Sequence, residues 1–308
     1  YSSVDTSPLS NYVMHPFWNQ AVKLCNQNVI LITCILFLDG IDGKHARRTN
    51  SSGPLGELMD HGLDSWAALF MPTCLYSVFG RGEYSCSPLR VYFVLCCVNF
   101  CFLLSHWEKY NTGILYLPWT YDISQIVLLA SFLITYFKSY KFFKFTILNF
   151  GSGEFVEILI YVFCSAYKTQ TLKQKSISES LRPLLPVTLL FILTTIWALF
   201  SPNDIINKEP RMFYWMTGTV FSNIACSLII SQMTSTRCEA SNWLLYPVGI
   251  VMLLVFGLPQ VGEKEIFLLR ILTLFTVLAH INYGVHVVRQ MCRHFKIYCF
   301  SLKKVPAD

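Results

Sequence analysis

The sequence has little charge. Asp, Glu, Lys and Arg make up 14% of its 308 residues, against about 25% in ordinary soluble domains. Hydrophobic residues make up 54%. A soluble domain of this length needs a charged, polar shell, which this composition does not supply. The composition therefore excludes a soluble enzyme, a disordered chain and a secreted disulfide-bonded domain.

Three other features are missing. None of the 12 cysteines forms a C-x-x-C pair, and most lie inside apolar runs, so we expect them to pack rather than to bind metal. No basic segment precedes an apolar core at the N-terminus, so no cleavable signal peptide is predicted. The basic residues behind the net charge of +6 are scattered between apolar segments, and no nucleic-acid partner is predicted.

Long apolar runs recur along the chain, and they predict an all-α, polytopic membrane bundle. About eight full spans are expected, at 63–79, 91–107, 123–137, 147–167, 184–200, 212–233, 243–258 and 266–288. A shorter apolar segment at 29–38 precedes them. Since a crossing needs roughly 20 residues, this first segment is too short to span.

Basic residues cluster in three stretches between or after the spans. They lie at 44–48, at 168–182 and in the tail after 288. Counting spans places all three stretches on one side of the membrane. Because cytoplasmic loops carry an excess of Lys and Arg, that side is predicted to be cytoplasmic.

The polar stretch 39–64 carries four aspartates in two pairs. Asp39 and Asp42 are three residues apart, and Asp60 and Asp64 are four apart. Each pair therefore lies on one face of a helix. A Gly-Pro step at 53–54 suits a break and a new helix start. Two helix ends are thus expected to present four carboxylates to each other.

Four close carboxylates at a membrane face repel one another, and divalent cations remove the repulsion. Oxygen ligands favour Mg²⁺, Mn²⁺ or Ca²⁺ over zinc, and paired ions suit an in-line phosphoryl displacement. Small residues that allow close helix approach accompany the aspartates: Gly43, Ala46, Gly56 and Gly62. Arg47 is placed to bind a phosphate.

A general base is predicted beside the aspartates. His61 directly follows Asp60, and Glu57 lies four residues before it. A carboxylate on one imidazole nitrogen raises the basicity of the ring and fixes its tautomer. The alternative is a solvated acidic loop with an exposed His61, but the coincidence of glycines, arginine and paired spacings favours a site.

These residues match the signature D-x2-D-G-x2-A-R-x8-G-x3-D-x3-D at every fixed position. The chain thereby resembles the CDP-alcohol phosphotransferases, through Asp39, Asp42, Gly43, Ala46, Arg47, Gly56, Asp60 and Asp64. Stretches at 105–113, 117–125, 242–245 and 278–285 resemble the ethanolamine phosphotransferase branch that carries a C-terminal selenocysteine. The end at Asp308 lies close to that position, which leaves open a stop at that codon or a truncation.

The resemblance implies an enzyme that transfers phosphoethanolamine from CDP-ethanolamine to diacylglycerol or alkyl-acylglycerol and releases CMP. It implies a membrane of the endoplasmic reticulum or Golgi, with the active site facing the cytoplasm. It also implies four metal ligands for two Mg²⁺ or Mn²⁺ ions: Asp39, Asp42, Asp60 and Asp64. Nucleotide contacts are implied for Arg47, Gly43, Ala46 and Gly56, with His61 as base and Glu57 as its support.

On this basis the chain divides into four regions. They are an N-terminal interfacial segment with a shortened first helix at 1–38, a catalytic region at 39–140, a transmembrane bundle at 141–288 and a basic cytoplasmic tail at 289–308. Family members have two full spans leading into the signature, whereas this chain has one short segment. An internal piece is therefore expected to be missing.

Four questions stay open. The donor could be CDP-choline, or both donors could be used. The chain could be a catalytically inactive, truncated isoform that associates with an intact paralogue. The sequence also leaves open whether it forms a homodimer. For Glu108, Lys109 and Asn111, contact with the nucleotide or amine and a polar interfacial loop are equally weighted interpretations.

Overall fold

The computed structural model describes residues 3–5, 46–49, 52–80, 85–113, 115–117 and 176–299. Several predicted features lie outside these residues: the short segment 29–38, the spans 123–137 and 147–167, and the first part of the signature. Within the described residues the elements are β1 Ser3–Asp5, α1 Pro54–Phe79, α2 Pro88–Thr112, β2 Leu115–Leu117, α3 Ile177–Leu181, α4 Leu184–Phe200, α5 Ile205–Lys208, α6 Pro210–Met233, α7 Leu245–Gly257, α8 Pro259–Gly262 and α9 Glu265–Phe295.

The predicted helical architecture is confirmed for this part of the chain. Each of the six predicted spans that fall within it is a helix: α1, α2, α4, α6, α7 and α9. By length and composition, α2, α6 and α9 can cross a membrane, and α4 and α7 are shorter apolar helices. The predicted number of about eight full spans is not confirmed by these residues.

Helix ends follow local chemistry. Helix α1 begins at Pro54 after Gly53, as the Gly-Pro step predicted, because proline suits the first helical position. The Ser87 side chain caps α2 by accepting a hydrogen bond from the Arg90 N–H. Helix α2 ends at Gly113, whose φ of 83° is left-handed and so favours glycine.

One short sheet departs from the all-helical prediction. After Gly113 the chain runs into β2, which pairs in parallel with β1, so that Ser3 is opposite Leu115 and Asp5 is opposite Leu117. These strands are three residues each. No alternating pattern marks these short strands in the sequence, although Leu115 of β2 is buried in the core.

Helix α6 lies at the centre of the described bundle. In an apolar 18-residue stretch of α6, 83% of the residues are buried, against 28% in the corresponding stretches of α2 and α9. It packs against α1, α2, α4 and α9. A Cβ at Gly218 of α6 would lie 2.4 Å from the Cβ of Leu69 in α1. Glycine therefore permits a close approach between the central helix and α1.

The helices define two ends of the bundle. At one, called here the site end, α1 begins and α2 and α6 end. At the other, α4 ends and α9 begins. There the fully buried Glu265 accepts hydrogen bonds from Trp197 Nε1 at 2.7 Å, from Ser201 Oγ at 2.8 Å and from the Asn203 N–H at 3.0 Å. Such a fully bonded carboxylate joins α4 to α9.

Candidate active site

The first three turns of α1 carry the candidate site. Asp60, His61 and Asp64 each offer one ligand atom, and these atoms all lie within 4.8 Å of one another. The cluster arises because residues three and four apart share a helix face. Carboxylate oxygens and an imidazole at this spacing fit a divalent cation. A Cβ at Gly56, one turn before Asp60, would meet no atom of the described residues within 4 Å.

His61 lies between this cluster and α2. Its Nδ1 is 4.0 Å from Asp64 Oδ2, and its side chain is 11% exposed. Its ring meets the His106 ring of α2 edge to face, with centroids 4.9 Å apart. Burial, helped by the nearby Lys109 ammonium and partly opposed by the Glu57 carboxylate, lowers the pKa of His61 to about 4. The imidazole of His61 is therefore neutral near pH 7, as the side chain that accepts a proton must be.

Glu57 is held from α2. One of its carboxylate oxygens accepts a hydrogen bond from Lys109 Nζ, whose side chain is only 7% exposed. Glu57 is one helical turn before His61, and its charge acts on that ring. A direct hydrogen bond between Glu57 and His61 stays a prediction.

The described residues include only part of the predicted ligand set. Asp60 and Asp64 come together as expected, whereas Asp39, Asp42 and Gly43 lie outside the description. Ala46 and Arg47 belong to a helical turn at 46–48, and Arg47 is exposed. That the four aspartate carboxylates face one another therefore stays a prediction.

For two residues of the stretch at 108–111, the structure bears on one of the two interpretations, that of a polar interfacial loop. Lys109 and Asn111 are buried in the last turns of α2, so the interpretation as a polar interfacial loop is wrong. The amide of Asn111 bonds to the Trp107 carbonyl at 3.0 Å and accepts from Ser180 Oγ at 2.7 Å. Asn111 thus fastens α3 to α2.

A chain of buried polar groups lies directly beneath the cluster. Ser65, next to Asp64, is 2.7 Å from Ser222 Oγ of α6, which is 3.3 Å from His280 Nε2 of α9. His280 Nδ1 is 3.4 Å from the Asn223 amide, which accepts from Asn242 at 2.8 Å. His280 of α9 therefore hydrogen-bonds across helices to two residues of α6. This chain fixes α1 against α6 and α9.

Two contacts at the site are not predicted by the sequence. They are the approach of His106 to His61 and the pairing of Lys109 with Glu57. A buried lysine within an apolar helix is itself a signal, because such a charge needs a partner. The sequence around Lys109 does not identify that partner, because Glu57 is 52 residues away along the chain.

Comparison with known proteins agrees with the motif. The family model for CDP-alcohol phosphatidyltransferase matches residues 13–152. The human ethanolaminephosphotransferase 1 is 43% identical over 100% of this chain and 92% of its own length. The mouse protein of that name is 42% identical over the same shares. Human cholinephosphotransferase 1 is 28% identical over 77% of this chain and 60% of its own length.

The alignment with the human and mouse ethanolaminephosphotransferases has 368 positions, more than the 308 residues of this chain. Those relatives therefore carry residues within the aligned region that this chain lacks, as the short first segment predicted. With full coverage at more than 40% identity, this chain belongs to the CDP-alcohol phosphatidyltransferase family.

Proposed function

We propose that this chain is an ethanolaminephosphotransferase. It transfers phosphoethanolamine from CDP-ethanolamine to the hydroxyl of diacylglycerol, or of an alkyl-acylglycerol, and releases CMP. The observation that carries the proposal is the Asp60–His61–Asp64 cluster at the start of α1. It stands in a chain whose full-length relatives bear that name.

Asp60 and Asp64 are proposed to hold Mg²⁺ or Mn²⁺, together with Asp39 and Asp42. Their oxygen atoms suit these hard cations, and they lie within 4.8 Å of each other, which allows shared ligation. When bound, two such ions stabilise negative charge on the phosphates during displacement.

His61 is proposed to take the proton from the lipid hydroxyl. The hydroxyl oxygen then attacks the phosphorus that bears ethanolamine, and the bond from that phosphorus to the bridging oxygen of CMP breaks. The electron pair leaves with CMP. The largely buried imidazole is neutral near pH 7, so it is in the form that accepts a proton. Glu57 supports the developing positive charge on the ring.

Arg47 is proposed to bind the diphosphate of the nucleotide, since a guanidinium matches phosphate geometry. Its exposed position on the turn at 46–48 leaves it accessible to a soluble ligand. Gly43, Ala46 and Gly56 are proposed to leave room for the nucleotide, and a Cβ at Gly56 would meet no atom of the described residues within 4 Å.

The proposed setting is the endoplasmic reticulum or Golgi membrane, with the site facing the cytoplasm. CDP-ethanolamine would then enter from water and diacylglycerol laterally from the bilayer. Three helices of the described residues are long and apolar enough to span a membrane, which supports the membrane setting.

A second candidate is a choline or dual-specificity phosphotransferase. It is favoured by the similarity to cholinephosphotransferase 1, and to an Arabidopsis thaliana protein named choline/ethanolaminephosphotransferase 1 that is 23% identical over 100% of this chain and 96% of its own length. Lower identity to these relatives favours ethanolamine as the first candidate.

The purified full chain, supplied with diacylglycerol and Mn²⁺, tests the proposal. Labelled CDP-ethanolamine should give labelled phosphatidylethanolamine faster than labelled CDP-choline gives phosphatidylcholine. A faster reaction with CDP-choline would favour the second candidate. Folded protein that forms neither product would contradict both, and would support the inactive isoform that associates with a paralogue.

A further inference from the structure

Lys109 is a buried cation at the edge of the candidate site. It lies in the last turn of α2, and its Nζ donates to the Glu57 carboxylate of α1. With the Gln232 amide oriented so that its oxygen faces Nζ, that oxygen accepts at 3.0 Å and the amide nitrogen donates to the His106 carbonyl at 3.3 Å. Lys109 therefore joins the ends of α1, α2 and α6.

The surroundings of Lys109 explain why it pairs with Glu57. An ammonium that is 7% exposed has given up most of its water, so it needs a compensating charge and hydrogen-bond acceptors. Glu57 supplies the charge and Gln232 supplies a second acceptor. Glu57 thus has one carboxylate oxygen fixed in place from the neighbouring helix.

The fixed carboxylate bears on the reacting end of α1. Glu57 precedes His61 by one turn, and His106, three residues before Lys109, contacts the His61 ring edge to face. We infer that Lys109 is a positioning residue for the transfer reaction, which holds the Glu57 carboxylate so that His61 is correctly oriented. This inference rests on the proposed function of the same cluster.

The inference predicts a specific kinetic signature for Lys109→Met. Lys109 has no role in binding the nucleotide on this account, so the KM for CDP-ethanolamine should change little. The kcat should fall about 10- to 100-fold, the usual cost of losing a partner that orients an active group. A general loss of structure would instead lower the yield of folded protein.

A double-mutant cycle separates action through Glu57 from an independent effect. Glu57→Gln alone should lower kcat. Adding Lys109→Met to Glu57→Gln should then cost less than twofold, because the interaction is already lost. Full additivity of the two losses would show that Lys109 acts elsewhere and would overturn the inference.

The matched control is Arg90→Met, which removes a cation from the opposite end of the same helix. Arg90 is exposed and its backbone N–H, not its side chain, makes the cap bond to Ser87. This variant should keep the kcat and KM of the parent. If Lys109→Met does not yield folded protein, Lys109→Gln keeps a donor without the charge and enters the same cycle.

Measurements of CMP release by purified chains decide the outcome. Unchanged kcat in Lys109→Met, or a loss expressed only in KM, would overturn the positioning role. Asp60→Asn is measured in parallel, since its loss of activity tests the proposed function. An active parent, an inactive Asp60→Asn and an unaffected Lys109→Met would refute this inference alone.

Discussion

The close contact between α1 and α6 at Gly218 gives a sharp prediction about stability. In Gly218→Ala the new Cβ would lie 2.4 Å from Leu69 Cβ and 3.2 Å from both Leu69 Cγ and Cδ2. Carbon atoms prefer separations of about 3.5–4.0 Å. The nearest atom of Leu69 belongs to the rigid start of the side chain, so the helices themselves must separate by about 1 Å.

The expected magnitude follows from two opposing effects. Overpacking of a filled interior costs about 1–3 kcal/mol. Replacing glycine by alanine within a helix recovers about 0.8–1.0 kcal/mol. Gly249→Ala in α7 isolates the second effect, because a Cβ there would meet no atom within 4 Å. The difference in unfolding free energy between the two variants should therefore be about 1–3 kcal/mol.

Thermal unfolding of the purified chains in one detergent measures that difference. Each kcal/mol should correspond to about 2–4 °C in Tm. Gly218→Ala should melt several degrees below Gly249→Ala, and its CMP release should fall because α1 carries Asp60 and Asp64. Equal melting temperatures for the two variants would show that α1 and α6 do not approach as described, and would refute the packing argument.

Three further outcomes are expected. Glu265→Ala should lower the unfolding free energy by at least about 2 kcal/mol, since it leaves buried donors without an acceptor. The control Glu263→Ala, on the neighbouring exposed turn, should change thermal stability little. Equal effects of the two variants would contradict the role of Glu265. Ser222→Ala should break the polar chain beneath the cluster. It should therefore reduce the kcat for CMP release more than Ser227→Ala on the same helix does. Equal rates for the two variants would contradict the role of that chain in supporting α1. Chelation with EDTA should abolish transfer and added Mn²⁺ should restore it, and activity that survives chelation would exclude metal ligation by Asp60.

Much of the fold could be predicted because it depends on local pattern. The Gly-Pro step placed the start of α1, and apolar runs located the six long helices of the described residues, although α9 continues seven residues beyond its predicted end. The gathering of Asp60, His61 and Asp64 also followed from helical spacing alone. These features need only the periodicity of a helix and the chemistry of its ends.

Other features depend on contacts between distant parts of the chain. The pair of Lys109 with Glu57 and the approach of Gly218 to Leu69 require the packing of α1 against α2 and α6. The parallel pairing of β1 with β2 joins residues more than 100 positions apart and buries no patterned face. No local signal carries such information, so these contacts emerged only from the three-dimensional arrangement.

The central claim is that the cluster on the first turns of α1 performs phosphoethanolamine transfer. Its most direct test is Mn²⁺-dependent CMP release from CDP-ethanolamine and diacylglycerol by the purified parent chain, Asp60→Asn and His61→Ala. The account predicts release by the parent and a loss of nearly all of it in both variants, with melting temperatures close to that of the parent. Parental rates in either variant would contradict the role assigned to that residue.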